Sequence, residues 1–376
     1  MTRVLITGAD GFVARNLRLH LSERADIEIL TLTRLDPVQS LRDKLRRADV
    51  VFHLAGVNRP EDPAEFSTGN ADLTRRLAQE LAALSIESGR RVPVVYTSSI
   101  QAALANPYGL SKRAAEQALF QLAESHAVPV HVFRLPNVFG KWCRPNYNSV
   151  VATFCHNLAR DLPIQIKDFD APLTLVYVDD LMAVFMEVLD GKRQAPPPGA
   201  YAEAGPTYTI SVGTLAEKIR SFRAGRDSLY IDKVGTGLTR ALYATYVSYL
   251  PVEAFSYPVP VHADARGVFV EMLKTPDAGQ FSFLTAAPGV TRGGHYHHTK
   301  TEKFLVIRGQ ARFRFRHMQT GAMHELITSG DQPQVVETVP GWTHDITNLG
   351  SDDLIVMLWA NEIFDRDRPD TVRCPV

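Results

Sequence analysis

The sequence predicts a two-part molecule: a doubly wound parallel α/β domain over residues 1–250, followed by an all-β barrel or jelly-roll domain over residues 251–376. Three observations predict it. Up to about Phe222, short apolar runs alternate with stretches of helical spacing. Beyond about Val261, short runs with period-2 alternation follow one another between Gly and Pro. At 376 residues the chain has room for two to three domains of roughly 150 residues each. Strands separated by helices make βαβ units and a parallel sheet, whereas many short strands without helices make a closed antiparallel architecture.

Taken in order, residues 3–7 (RVLIT), 27–32 (IEILTL), 50–54 (VVFHL), 92–96 (VPVVY) and 130–133 read as buried strands. Between the third and fourth, residues 70–88 carry Leu73, Leu77, Leu81 and Leu84 at helical spacing. Residues 227–260, rich in Tyr, Gly and Pro, read as a connector with some helix at 239–248. The later strands are VFVEML, FSFLT, KFLVI, ARFRFRH, HELIT and DLIVMLW. In the fourth of these, Phe313 and Phe315 alternate with Arg312, Arg314 and Arg316, the pattern of a half-buried antiparallel strand.

Composition narrows the partners. The chain has 41 Lys and Arg against 41 Asp and Glu, 45% hydrophobic residues and a mean hydropathy of −0.10. Zero net charge removes the global basic footprint of a nucleic-acid binder and argues against a polybasic membrane partner. Cys143, Cys155 and Cys374 show no CxxC spacing, which fits a reducing compartment and excludes a disulfide framework. No apolar run approaches the ~18 residues of a transmembrane helix, and the N-terminus lacks a signal-peptide core. A soluble cytoplasmic enzyme is expected.

The first strand runs into Thr7-Gly8-Ala9-Asp10-Gly11-Phe12 and then a helix. Gly8 and Gly11 allow a tight turn and close approach of a pyrophosphate to the helix N-terminus. Ala14 stands where a third glycine is usual. An NAD site places Asp or Glu at the end of the second strand; here Arg34 stands there, able to pair with a 2′-phosphate, which favours NADP over NAD. The alternative is that Arg34 is a solvated surface residue; Asp36, two residues further, weakens the NADP reading slightly. Tyr108 and Lys112 lie four apart, on one helical face, so the ammonium can sit near the phenol and lower its pKa. A hydroxyl partner is expected from Thr97, Ser98 or Ser99 on the preceding strand end.

This half resembles the extended short-chain dehydrogenase/reductase family, the nucleotide-sugar epimerases, dehydratases and reductases with a Rossmann-type fold. TGADGF at 7–12, HLAG at 53–56, Asn70, the TSS run, YGLSK at 108–112, RLPNVFG at 134–140 and VYVDDL at 176–181 carry the resemblance. It implies Ser99 as catalytic hydroxyl, Tyr108 as acid and Lys112 as its tuner and ribose contact. It further implies that Thr7, Gly8, Asp10, Gly11, Phe12, Leu54, Ala55 and Gly56 bind the cofactor, and that Asn137 stands at the substrate edge. Asp179 and Asp180 also read as N-cap residues of the helix LMAVFMEVL. Only eight residues separate Ser99 from Tyr108, fewer than the family norm. The pocket is therefore either unusually open or closed by another part of the chain, such as the C-terminal half.

In the C-terminal half, Gly289, His295, His297, Glu302 and Gly309 are followed by Pro340, Gly341, His344 and Asn348. His295 and His297 point to one face of a strand. With Glu302 after a turn and His344 from a returning strand they make an N3O set suited to zinc or another first-row divalent ion. His298 is a spare: a surface residue, a neighbour of the ligands, or a ligand itself. His262, His317 and His324 match nothing and read as structural or exposed. These residues resemble the cupin family, a small jelly roll. Asp264-Ala-Arg266-Gly267 through Glu271, and RGGHY at 292–296, look like the nucleotide-sugar 3,5-epimerases. That resemblance implies Arg266 and Glu271 as substrate contacts and Lys303 as the group that stabilises an enolate. His295 cannot serve both as metal ligand and as free base, so the ligand role leaves Lys303, His298 and Tyr296 as alternatives for the base. Glu302 and Lys303 are adjacent, so in a regular strand they face opposite ways.

Over its full length the chain resembles the CapF-type bifunctional enzymes of capsular polysaccharide biosynthesis, carried by RGGHYHHTKTEKFLVIRG and SSIQAALANPYGLSK. The resemblance implies a cupin that epimerises C3 of a UDP-linked 2-acetamido-2,6-dideoxy-4-ketohexose. It also implies a reductase domain that reduces the C4 ketone with NADPH. A homodimer is expected from the cupin resemblance, since cupins often pair through their sheets. UDP, the acetamido group and the L-talo product follow from the resemblance alone. The rival expectations are a single-function 4-ketosugar reductase with a structural, dimerising metal barrel, and a cofactor-sensing regulator. The complete Ser99, Tyr108 and Lys112 set argues against the regulator.

Overall fold

The computed structural model describes all residues except 38, 63, 265, 266, 271, 276–278, 363 and 366; among the rest, the side chains of 261–264, 267–270 and 280 are not described. Two compact units result. One comprises residues 1–138 and 174–209, the other 139–173 and 210–376. Residues 139–173 and 210–250, which the rhythm of the sequence groups with the first half, thus pack within the second unit.

In the first unit, β1 (Thr2–Thr7), α1 (Phe12–Ser22), β2 (Ile27–Leu32), α2 (Ser40–Arg47), β3 (Val50–His53), α3 (Ala64–Phe66), α4 (Leu73–Ser88), β4 (Val94–Ser99), α5 (Pro107–His126) and β5 (Val130–Leu135) alternate as expected. The sheet is parallel throughout, in the order β2-β1-β3-β4-β5. One face buries Leu41 and Leu45 of α2, Leu77 and Leu81 of α4, and Leu119 and Leu122 of α5 against Leu5, Val51 and Val94. On the other face Phe185 packs its ring 5.4 Å from both Phe52 and Phe133. The chain leaves β1 toward β2 on one side and returns to β3 on the other. A crevice therefore opens at the carboxyl ends of β1 and β3, where such sheets bind ligands.

Two boundaries differ from the sequence reading. Pro93 has no N–H to give to the ladder, so β4 starts at Val94 and runs on through Thr97, Ser98 and Ser99, paired with Phe133, Arg134 and Leu135. The 70–88 helix is entered through a π-helical turn, Ser67–Asp72, which widens the backbone beside the crevice.

The chain continues through β6 (Asn137–Phe139), α6 (Val150–Leu158), β7 (Pro172–Tyr177), α7 (Val178–Leu189), β8 (Tyr208–Ser211), α8 (Val212–Ser228) and α9 (Gly237–Ser248). Helix α7 begins at Val178 with Tyr177 as its N-cap. Asp179 and Asp180 are therefore not caps but first-turn acids, where their charge suits the positive helix end. Asp180 accepts from the Tyr208 hydroxyl at 2.9 Å, and Asp179 stands 3.2 Å from His20.

The second unit is built on β9 (Ser256–Pro258), β10 (Val261–Asp264), β11 (Gly267–Val270), β12 (Gln280–Ala286), β13 (Thr291–Tyr296), β14 (Glu302–Arg308), β15 (Gln310–His317), β16 (Met323–Ser329), β17 (Gln334–Glu337), β18 (Trp342–Asn348), β19 (Leu354–Ala360) and β20 (Val372–Arg373). They form a β10-β11 hairpin and two five-stranded antiparallel sheets, β12-β19-β14-β17-β9 and β16-β15-β18-β13-β20. The two sheets face each other: Phe304 of β14 meets Phe313 of β15 at 5.7 Å between ring centroids. Along β15, Phe313 and Phe315 are buried and the intervening arginines half-buried, as the alternation required.

Candidate active site and metal centre

At the end of β1, Gly8 adopts φ +66°. A Cβ there would stand 2.6 Å from Ala55 Cα at the end of β3, so only glycine permits this approach. Gly11 N–H donates to the Gly8 carbonyl at 2.9 Å and closes the turn into α1. The crevice is a cavity of about 620 Å³ lined, among others, by Thr7, Gly8, Asp10, Gly11, Arg34, Leu54, Ala55 and Gly56. Of the expected cofactor residues, Phe12 opens α1 and Lys112 lies behind Gly56; neither lines the cavity. His53 joins the strand ends, with Nδ1 2.7 Å from Thr7 Oγ1 and Nε2 2.8 Å from Thr74 Oγ1. Burial depresses its pKa to about 3, so it is neutral. Sequence reading missed Glu65, Thr68 and Gly69, which reach the cavity from α3 and the π-helical turn; no local motif marks them.

Helix α5 places the Tyr/Lys pair. Asn106 caps it, accepting from Gly109 N–H at 2.7 Å, and Pro107 suits its first turn. The buried Lys112 ammonium donates to the Thr97 carbonyl at 3.0 Å. Burial lowers its pKa to about 8, opposed by the charge of Glu116. Geometry separates the three hydroxyls of the TSS run. Thr97 supplies that carbonyl, Ser98 donates to Glu116 at 2.5 Å, and the Ser99 hydroxyl accepts from Gln101 N–H at 3.2 Å and faces the Tyr108 phenol, whose pKa it holds down against burial. The lowered Tyr108 pKa expected from Lys112 is not found in the chain by itself. Burial pushes the phenol up, only the Ser99 hydroxyl pulls it down, and the ammonium is turned toward the Thr97 carbonyl. A Cβ on Gly56 would lie 3.1 Å from Lys112 Nζ and 3.2 Å from Asn70 Oδ1, so the HLAG turn and the lysine are in close register. Asn137 stands exposed on β6, donating to the Thr174 carbonyl at 3.3 Å. Glu116 was not foreseen: buried one turn beyond Lys112, it accepts from Arg134 at 2.9 and 2.6 Å and from Tyr201 at 3.1 Å.

The second unit gathers His295, His297, Glu302 and His344, with one ligand atom from each within 4.8 Å of the others. Register explains part of this: His295 of β13 lies opposite His344 of β18, just past a shift made at Gly293 and Gly294, both at positive φ. His297 lies beyond the end of β13 yet still turns into the cluster. Its Nδ1 contacts the Asp370 carbonyl, which can only accept, so the hydrogen is on Nδ1. Nε2 then presents a lone pair to Glu302 Oε2 at 3.0 Å, and these two acceptors need a cation between them, a proton or a metal ion. Both ring nitrogens of the buried His344 lack a hydrogen-bond partner among the described residues. Three imidazoles, one carboxylate and orphaned buried nitrogens fit a divalent ion. Asp370, which sequence reading missed, fixes the ligand loop by accepting from the N–H groups of His298, Thr299 and Lys300 at 2.8, 2.6 and 2.7 Å.

Lys303 is not part of this cluster. It follows Glu302 on β14, so its side chain takes the opposite face, where it pairs with Glu337 and donates to the Tyr257 hydroxyl at 3.1 Å. The expected enolate-stabilising ammonium thus lies on the face of β14 opposite the histidine cluster. His298 and Tyr296 are both buried, their rings 5.5 Å apart. His317 is structural, its Nδ1 accepting from Gln319 and Thr320 N–H at 3.1 Å, and His324 packs against Phe255. Arg266, Glu271 and the His262 side chain lie outside the described residues.

A glycine-turn nucleotide crevice with a Ser/Tyr/Lys set, joined to a two-sheet barrel, defines a class of protein. Residues 4–202 match the NAD dependent epimerase/dehydratase family and residues 262–372 match the polysaccharide biosynthesis C-terminal domain. The chain belongs to that epimerase/dehydratase family, which implies a nicotinamide cofactor. More particularly, it is 59% identical to the UDP-2-acetamido-2,6-beta-L-arabino-hexul-4-ose reductase of Pseudomonas aeruginosa, over 100% of this chain and 99% of the relative. The crystal structure of the capsular polysaccharide assembling protein CapF from Staphylococcus aureus is 40% identical, with a TM-score of 0.67 over 99% of this chain and 100% of that one. A UDP-glucuronic acid 4-epimerase from Bacillus cereus, 17% identical with a TM-score of 0.52 over 59% of this chain and 84% of its own, shares the fold of the first half. Among the described residues no helix is long and apolar enough to cross a membrane.

Proposed function

We propose that the chain is a bifunctional, cytoplasmic nucleotide-sugar enzyme of capsule or O-antigen biosynthesis. The barrel epimerises C3 of a UDP-2-acetamido-2,6-dideoxy-4-ketohexose, and the α/β part reduces the C4 ketone with NADPH to UDP-2-acetamido-2,6-dideoxy-L-talose. The observation that carries the reduction is the Ser99, Tyr108 and Lys112 set beside the nucleotide crevice. The name of the relative at 59% identity supports a UDP-linked 4-keto amino sugar as substrate. As functional domains we take residues 1–250 and 251–376, with the family matches falling on either side of that division.

In this reading NADPH, when bound, supplies the hydride to C4. The Tyr108 phenol donates the proton to the ketone oxygen, Ser99 holds that oxygen, and Lys112 binds the ribose and stabilises the phenolate left behind. Asn137 is the substrate edge on β6, and Arg266 and Glu271 contact the sugar nucleotide at the barrel. Arg34 pairs with the 2′-phosphate, and a zinc ion is held by His295, His297, Glu302 and His344. The assembly is a homodimer. Tyr108→Phe is the direct test: consumption of NADPH with the 4-ketosugar falls at least ~100-fold if the phenol is the general acid, and a wild-type rate overturns the assignment.

A second reading has a specific observation in its favour. Lys303 faces away from the histidine cluster, which leaves the barrel without the expected enolate-stabilising ammonium. The alternative is a single-function reductase whose barrel is a metal-stabilised dimerisation module. Solvent exchange at C3 in heavy water without NADPH separates the two: exchange supports epimerisation, and its absence supports the single function.

A further inference from the structure

Beyond β2 the chain turns through Thr33, Arg34, Leu35 and Asp36. The first three line the nucleotide cavity and Asp36 does not. Its carboxylate is folded back on the turn: Oδ2 accepts from Thr33 N–H at 2.8 Å and from Thr33 Oγ1 at 3.0 Å, while Oδ1 accepts from the Lys44 ammonium. Lys44, on α2, also donates to the Thr31 carbonyl at 2.7 Å, which anchors it to the end of β2. Arg34 stands exposed at the rim and makes no hydrogen bond or ion pair among the described residues.

A carboxylate at the end of the second strand is the group that accepts from the free hydroxyls of an adenosine ribose and repels a phosphate there. The acid nearest to that place in the sequence is present but withdrawn. The Lys44 contact, with the Thr33 bonds, holds the Asp36 pKa down at about 2, so the carboxylate is ionised and its charge is neutralised locally by the ammonium. We propose that Lys44 is a specificity-determining residue for the cofactor: by holding Asp36 away from the crevice it leaves Arg34 as the charged group that the turn after β2 presents to the crevice, and so selects a 2′-phosphate over a free 2′-hydroxyl. The inference rests on the reading of Arg34 as the 2′-phosphate contact. Lys44 acts through Asp36 and need not touch the cofactor, which makes it a positioning residue.

The test is binding, by calorimetric titration of the full chain with NADP+ and with NAD+, for wild type, Arg34→Ala, Lys44→Met, and Lys44→Met combined with Asp36→Asn. Wild type is expected to prefer NADP+. Lys44→Met lowers the NADP+/NAD+ affinity ratio about tenfold, the worth of one charge-assisted contact, by weakening NADP+ and strengthening NAD+ together. The double variant returns the ratio to near wild type, because the freed group is then neutral. An unchanged ratio in Lys44→Met with a collapsed ratio in Arg34→Ala overturns the clamp and leaves the NADP reading standing. Equal weakening of both nucleotides by Lys44→Met, not restored in the double variant, marks a merely structural lysine and also overturns it. No preference for NADP+ in wild type removes the Arg34 reading and the clamp with it.

Discussion

Lys112 is the residue at which burial and function meet. Its pKa is lowered from 10.5 to about 8 by desolvation. The ammonium is thus present below about pH 8 and lost as the pH rises through it. NADPH affinity should therefore fall between pH 7 and 9, and Lys112→Arg should flatten that fall; an affinity constant across the range would refute the ribose role. Stability runs the other way. Between about pH 8 and 10.5 the unfolded chain binds the proton that the folded chain has released, so this group favours folding more as the pH rises. Gly56 is coupled to the same site. Gly56→Ala places a methyl 3.1 Å from Lys112 Nζ and 3.2 Å from Asn70 Oδ1, and a loss of roughly tenfold in kcat/KM is expected, about 1.4 kcal/mol, with the fold intact by circular dichroism. At this scale the sequence was most legible where ligands lie close along the chain: TGADG, YGLSK and HYH declare themselves. Glu116 and Asp370 did not, because their partners are 18 and about 70 residues away.

At the scale of elements, the short connection between β4 and α5 shows how the site is assembled. Ile100–Ala103 forms a single 3-10 turn, and the Gln101 and Leu104 carbonyls press on the first turn of α5. A Cβ at Gly109 would stand 2.2 Å from the first and 2.7 Å from the second, so the glycine of YGLSK is there to let a short loop close. Gly109→Ala should cost about 2 kcal/mol in urea unfolding and displace Tyr108 from Ser99, with a fall in kcat; a variant as stable and active as wild type would mean that the loop is not under this constraint. Periodicity found every strand of the parallel sheet because these are long apolar runs. It shifted β4 because a proline and three hydroxyl residues blur the ends of that run. It passed over short strands such as β9, β17 and β20, which carry little pattern of their own and owe their pairing to neighbours distant in sequence.

For the molecule as a whole, the proposed metal centre gives the clearest expectation. An ion that binds only the folded barrel stabilises it by mass action, about 2.7 kcal/mol at a free concentration one hundred times Kd. Exhaustive chelation should lower the melting temperature, and added zinc should restore it in wild type but not in His344→Ala; no metal in the purified protein and no response to zinc would remove the site. The sequence by itself determined the order of the two architectures, the glycine turn, the Tyr/Lys pair and the four-residue donor set, because each rests on local periodicity or on spacing within a few turns. Only the tertiary structure decided that Glu116 takes Ser98 and Arg134, that Asp370 holds the loop of His298, Thr299 and Lys300, and that Lys44 withdraws Asp36 from the crevice. These depend on which side of a strand or turn is buried and against what, and that is set by packing between segments far apart in the chain.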